Sequence, residues 1–296
     1  MMTLSQLMKR FDGDDACMGY LVEKRWPDGA RCPRCGSAKV HKLSRPWKWQ
    51  CKQCSPNGYR FSPLVGTIFE NTNYPLKTWF QVVYLMCQSK KGMSALQIQR
   101  TIGAGSYRTA WYMCHRIRAA MLNPEFRKLA GVVEVDETYI GGKAKNRHGR
   151  GIGGGFKKGE GGTGGAGKIA VIGAISRKGN VVAQIIERTD AATLDRFVRQ
   201  AVSEKVDLVA TDEHAGYRRL GERFPHESVA HGRQEYVRGN VHTANIDSFW
   251  SLIKRGVMGS FHKVSKDYLP LYLNEFAFRH NFRKDPDMFG RVIAAC

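Results

Sequence analysis

The stretch GVVEVDETYIGG, residues 131–142, is where the chain changes period. Before it, between residues 74 and 122, apolar side chains recur at helical spacing; within it they alternate between glycine boundaries, as in a half-buried strand. Asp136 stands inside this strand, and strand interiors disfavour aspartate, so packing alone does not account for it. Outward from here the pattern reads strand KIAVIGAIS, turn RKGN, strand VVAQIIE, helix AATLDRFVRQAVSE and strand VDLVATD, which ends on Asp212. Two amphipathic helices, NIDSFWSLIKRGVM and KDYLPLYLNEFAFRHN, complete the region. This order predicts an α/β domain over residues 131–296, a mixed sheet flanked by helices. The insert at 141–168 is nearly half glycine and otherwise mostly basic, and reads as a flexible cationic loop. Such a loop can follow phosphates without reading sequence, or it can be a tolerated surface insertion. A phosphate-cradling nucleotide loop is disfavoured because no G-K-[ST] follows a strand here.

Toward the N-terminus, residues 71–130 read as a helical domain. PLKTWFQVVYLMCQSK, SALQIQRTI and SYRTAWYMCHRIRAAM are its helices, with Ser94 and Ser106 as N-caps and a GAG break between the last two. These lengths and this turn suit a helix-turn-helix, and equally any small three-helix bundle. Arg108, Arg116 and Arg118 on the last helix are candidate DNA contacts, set among Trp111, Tyr112 and Ile117.

Residues 1–70 hold the pattern Cys32-x2-Cys35-x15-Cys51-x2-Cys54, the spacing of a four-thiolate zinc site. From about residue 17 to 62 the apolar positions are too sparse for a core unaided, so one closed, structural Zn2+ is expected to hold the segment. His41, Lys42, Arg45, Trp47, Lys48 and Trp49 lie between the knuckles, either along nucleic acid or as a solvated cover for the ribbon.

The balance of 47 Lys and Arg against 26 Asp and Glu gives a net charge of +21 over 296 residues, and with 42% hydrophobic residues the chain can still fold. A globular polyanion binder is implied. No stretch approaches the roughly 20 apolar residues that cross a bilayer, and acidic residues stand where a signal peptide would be apolar, so no membrane partner is expected. The paired and scattered cysteines suit a reducing compartment, and the expected location is the cytoplasm, with the nucleoid.

In so basic a chain the acids are informative. Asp136 and Asp212 sit on strands, and Asp247 lies on the edge of a helix whose buried stripe is Ile246, Phe249, Ile253 and Val257, in line with Ser251 and Lys254. Three such carboxylates suit two magnesium ions, with Mn2+ able to substitute, in phosphodiester hydrolysis or strand transfer. Taken singly, each is equally a turn residue, a cap or an exposed edge position.

VDETYIGGK, the glycine-rich insert, KIAVIGAI, TDEHAGY, VHTANIDSFWSLIKRG and YLNEFAFRHN, in this order, closely resemble the DDE transposases of bacterial insertion sequences, in the insertion-sequence-1595 group. The resemblance runs from the zinc knuckles to about Phe289. It implies a ribonuclease H-like catalytic fold, an N-terminal part that recognises the element's terminal inverted repeats, and magnesium-dependent cutting and joining of double-stranded DNA by a homo-oligomer. Matched by motif, the catalytic acids are Asp136, Asp212 and Asp247, and Lys254, with Arg255 beside it, holds DNA. Glu is common in such families where Asp247 stands, and Asp reaches one methylene less. Asn245 is the alternative third ligand; as an N-cap it would be more economical, and on a regular helix it lies about 200° from Asp247. Alternation puts Glu134 with Asp136 and Glu137 on the opposite face. His214, His231 and His242 are open to a phosphate contact or an ordinary turn role. The expected protein is thus a transposase, an enzyme of DNA strand cleavage and transfer, with a non-catalytic DNA-binding relative as the alternative.

Overall fold

The computed structural model describes residues 2–54, 56–122, 128–141, 168–177, 179–230, 237–239 and 241–296, and forms two units, Met1–Leu122 with Phe282–Cys296 and Asn123–Asn281. Most of the glycine-rich insert, and His231, lie outside the described residues.

In the first unit, helices α1 (Leu4–Arg10) and α2 (Asp14–Arg25) precede three short strands, β1 (Val40–Lys42), β2 (Trp49–Cys51) and β3 (Tyr59–Phe61), which pair antiparallel in that order. Helices α3 (Leu76–Gln88), α4 (Ala95–Ile102) and α5 (Tyr107–Ala120) follow. Both serine caps form: Ser94 accepts from the Gln97 N–H and Ser106 from the Arg108 N–H, while Gly103 ends α4 at φ 67°, a left-handed conformation suited to glycine. Helices α1 and α2 were not anticipated; Thr3 and Gln6 form a capping box on α1, and α2 buries Cys17, Tyr20 and Leu21. Residues 282–296, expected in the C-terminal domain, belong instead to this unit. Their helix α9 (Met288–Ala294) contributes Phe289 to an aromatic cluster with Phe11, Tyr20 and Phe80, with ring centroids 5.0–6.2 Å apart. The cause is apolar burial against residues far away in sequence.

The second unit is the expected mixed sheet. Its strands are β4 (Val132–Ile140), β5 (Ile169–Ser176), β6 (Val181–Ile186), β7 (Leu208–Asp212) and β8 (His226–Val229), in the order β6-β5-β4-β7-β8. The β6-β5-β4 pairings are antiparallel and the β4-β7-β8 pairings parallel. Pleat alternation sorts the side chains into two cores. Val133, Val135, Ile172 and Ala174 pack with Leu194, Phe197 and Val198 of α6 (Ala191–Ala201). Val171 and Ile175 pack on the opposite face with Ile246, Phe249, Trp250 and Ile253 of α7 (Ala244–Gly256) and Leu273 and Phe276 of α8 (Leu269–Asn281). The result is helix, sheet and helices in three layers.

Candidate active site and zinc centre

The candidate site grows from β4. Parallel pairing joins Val132 to Leu208, Val133 to Val209 and Glu134 to Ala210. Two steps further along each strand stand Asp136 and Asp212, so the pleat sets them on one face of neighbouring strands. Asp247 comes from the first turn of α7, which packs against β4 and β5. The acids feel one another: burial first, then the negative charges of Glu137, Asp212 and Asp247, push the Asp136 carboxyl up to about 7. Each acid has a local donor. Trp250 Nε1–H donates to Asp136 Oδ2 (3.0 Å), the His214 N–H to Asp212 Oδ1 (3.1 Å), and Thr243 Oγ1–H to Asp247 Oδ2 (3.1 Å).

Hard oxygen donors whose charges repel one another form a set that a divalent cation would neutralise, so the trio suits magnesium by chemistry. The four cysteines are drawn closer. Among the described residues they are the one group of three or more His, Cys, Asp or Glu whose ligand atoms lie within 4.8 Å of one another. Cys32 Sγ lies 3.8 Å from Cys54 Sγ, Cys35 Sγ 3.6 Å from Cys51 Sγ, and Cys54 Sγ 3.5 Å from Cys35 Sγ. Zn–S bonds of about 2.3 Å in a tetrahedron require sulfurs about 3.8 Å apart. The cluster fits a structural zinc. Around it Trp26, Trp49 and Phe61 make a small core, so the ribbon is less bare of apolar packing than its sequence implies.

Glu134 is fully buried, on the same face as Asp136. Its carboxylate accepts from the backbone N–H groups of Asn245 (2.8 Å) and Ile246 (3.1 Å), from Asn245 Nδ2 (2.7 Å) and from Arg177 Nε (2.9 Å), and His242 Nδ1 lies 3.2 Å away. Glu134 thus satisfies the first N–H groups of α7 from a neighbouring strand. This revises the reading of Asn245 as an N-cap: Thr243 holds that position, and the Asn245 amide is committed to Glu134. On the other face, the Tyr217 hydroxyl donates to Glu137 Oε2, and His214 Nδ1 lies 4.0 Å from Glu137 Oε1. Burial, ahead of its other surroundings, raises the Glu137 carboxyl.

The cations expected to meet DNA fall into two groups. Arg108 is exposed on α5, and Lys254 and Arg255 are exposed on α7. Arg118 is 1% exposed, and Arg116 donates to the carbonyls of Thr67 and Glu70. The expectation that these two present an open basic face is corrected: Arg118 is interior, and Arg116 closes backbone acceptors of a preceding loop. Beside Arg108 stand the exposed rings of Tyr112, which the sequence set among the apolar neighbours of the arginines, and of Tyr107, which it did not single out. It also passed over Trp250 and Gly173. Position 250 follows Ile246 by one helical turn and so falls in the buried stripe, and a glycine inside a strand marks a close approach.

Residues 128–281 match the ISXO2-like transposase domain, and residues 13–57 match the transposase zinc-ribbon domain. A protein of Halobacterium salinarum, described as an uncharacterized protein in transposable element ISH50, is 30% identical over 286 residues, covering 94% of each chain. No solved structure matches. Among the described residues no helix is long and apolar enough to cross a membrane. With a transposase zinc ribbon ahead of a transposase domain that spans more than half of the chain, the chain belongs to the ISXO2-like transposase family.

Proposed function

We propose that this transposase binds the terminal inverted repeats of its insertion sequence and catalyses magnesium-dependent cleavage and transfer of DNA strands through Asp136, Asp212 and Asp247. The observation that carries this is the placement of the acids: Asp136 and Asp212 share one face of neighbouring parallel strands, and Asp247 stands in the first turn of the helix packed on that face. The raised Asp136 carboxyl accords with this, burial acting first and the charges of Glu137, Asp212 and Asp247 after it. The mixed sheet, with helices on both faces and acids on adjacent parallel strands, supports the ribonuclease H-like reading.

When bound there, two divalent cations, Mg2+ or Mn2+, supply charge stabilisation to the attacking and leaving oxygens of an in-line displacement. The chain's own residues present the carboxylates, with Asp136 at the middle of β4 and Asp247 at the exposed edge of α7. Lys254 follows Asp247 by seven residues, about two helical turns, and so shares its side of α7, where its ammonium and the neighbouring Arg255 hold phosphate. Asp247 is the third ligand in this reading, because its exposed carboxylate is one of the charges that act on Asp136, whereas Asn245 carries no charge and its Nδ2–H is turned to Glu134. The zinc ribbon and the Arg108 face of α5 contact the DNA ends, and the protein works as a homo-oligomer that holds two ends at once.

The test is cleavage of labelled end-containing DNA by the wild type and by Asp136→Ala. Loss in the variant, together with joined products when precleaved ends meet a target plasmid, is expected. Equal cleavage by both proteins would leave a DNA-binding relative, and cleavage without joining would leave an endonuclease.

A further inference from the structure

Helix α7 is tied to β4 at two points one turn apart. At the first, Glu134 takes the N–H groups of Asn245 and Ile246. At the second, two residues along the strand, Asp136 takes the indole N–H of Trp250 at 3.0 Å. Two strand residues advance about 6.6 Å, and four helix residues about 6 Å, so the two repeats keep step. Asp247 falls between these ties.

The second tie depends on a missing side chain. Asp136 pairs across the antiparallel ladder with Gly173 of β5. A Cβ at Gly173 would lie 2.6 Å and 2.7 Å from two carbons of the Trp250 ring and 3.2 Å from Ile246 Cδ1. The indole therefore occupies the space that any other residue at position 173 would fill. Trp250 is 2% exposed, and its N–H, a donor with no alternative role as acceptor, is satisfied by the carboxylate.

We propose that Trp250, seated on Gly173, is a positioning residue for the catalytic metal site: its N–H fixes the Asp136 carboxylate by Oδ2, leaving the other oxygen for the cation. An aspartate whose Oδ2 is held by the indole N–H, with a backbone hydrogen bond at Glu137 beside it, keeps its rotamer when the ion leaves, so ordering it adds little cost when the ion binds. This rests on the reading of Asp136 as a metal ligand.

The experiment is Mn2+ binding by the full-length protein without DNA, followed by calorimetry, for wild type, Asp136→Ala, Trp250→Phe and Gly173→Ala. Loss of a donor behind a metal ligand weakens affinity roughly 10- to 100-fold, and that loss is expected for Trp250→Phe. Gly173→Ala should match it although the N–H remains, because the ring is displaced. Wild-type affinity in a folded Trp250→Phe overturns the inference alone, provided Asp136→Ala no longer binds. Wild-type affinity in Asp136→Ala overturns the ligand reading, and the inference with it. A measurement on the unaltered protein covers any failure of the variants to fold. With nitrogen-15 in the six tryptophans, one indole N–H resonance should move when Mg2+ is added, and none moving overturns the inference.

Discussion

The zinc ribbon and the five-stranded sheet solve opposite problems. Each ribbon strand is three residues long, and two of the side chains in the ribbon's buried cluster are cysteines, so the groups that would hold metal are also the interior. The sheet has apolar cores on both faces and holds its acids beside them. Where apolar burial is scarce, a metal supplies the fold; where it is ample, the fold can hold groups that repel one another. Asp136 is such a group, kept half-buried near other acids because the surrounding core over-determines its place.

The largest expected effect breaks the ribbon. Structural zinc contributes on the order of 10 kcal/mol to small domains of this kind. Cys32→Ser with Cys51→Ser should reduce the metal content from about one zinc per chain to none and open the N-terminal region to proteolysis. Residues 168–281 should resist in the same digest. Loss of structure in both regions at once would refute the division of labour.

Next comes Glu134, where the sheet unit is most like the ribbon because one buried group organises several donors. Glu134→Ala leaves the N–H groups of Asn245 and Ile246 and the Arg177 guanidinium facing an apolar gap, at a cost of about 3–5 kcal/mol. Denaturant unfolding measures this, and Glu134→Gln, which keeps one acceptor, should lose less. A loss below 1 kcal/mol for alanine would mean that α7 is seated by its apolar face alone.

Asp136 should respond with the opposite sign. Its folded carboxyl titrates at about 7, whereas an unfolded aspartate titrates near 4. Between these values the native state binds the extra proton, so this group's stabilisation is present below about pH 4 and is lost as pH rises through about 7. Asp136→Asn, which carries no charge to bury, should therefore raise the stability of the metal-free protein at pH 8 by about 1–3 kcal/mol. The gain should vanish at pH 4, and Mg2+ should stabilise the wild type but not the variant. A variant less stable than wild type at pH 8 would show that the cluster is not strained.

Much of this was legible in the sequence because the relevant signals are local. The period-2 run around Asp136, the serine caps of α4 and α5, the buried stripe of α7 and the spacing of the four cysteines each follow from neighbours a few residues away. What stayed hidden depends on distant partners. Strand β8, HESV, is short, largely polar and at the sheet edge, so its pairing with β7 leaves no pattern in its own residues. Helix α9 carries Phe289 to rings near the N-terminus. The Trp250–Gly173 seat joins a helix and a strand more than seventy positions apart, and only the pairing of Asp136 with Gly173 explains why either matters.

The smallest effect concerns a surface cation, Arg108, and helix α5 sets it beside a buried one for comparison. Arg118 and Arg108 have the same chemistry on one helix, but one is 1% exposed and the other is open beside Tyr107 and Tyr112. Helical spacing separates them, since Arg118 stands at i+8 of the buried stripe Ala110, Met113, Cys114 and Ile117 and Arg108 stands opposite it. Charge alone masks this, because an arginine can enter a bundle when other groups receive it, as the Thr67 and Glu70 carbonyls receive Arg116. Arg108→Ala should change unfolding stability by no more than about 0.5 kcal/mol. If its guanidinium meets a phosphate, the logarithmic salt dependence of binding to end-containing DNA should flatten by about one ion. Arg118→Met should lower stability and leave that slope unchanged, since a buried cation releases no counterion from DNA. A slope altered by Arg118→Met and not by Arg108→Ala would turn the helix around and move the DNA to its other face.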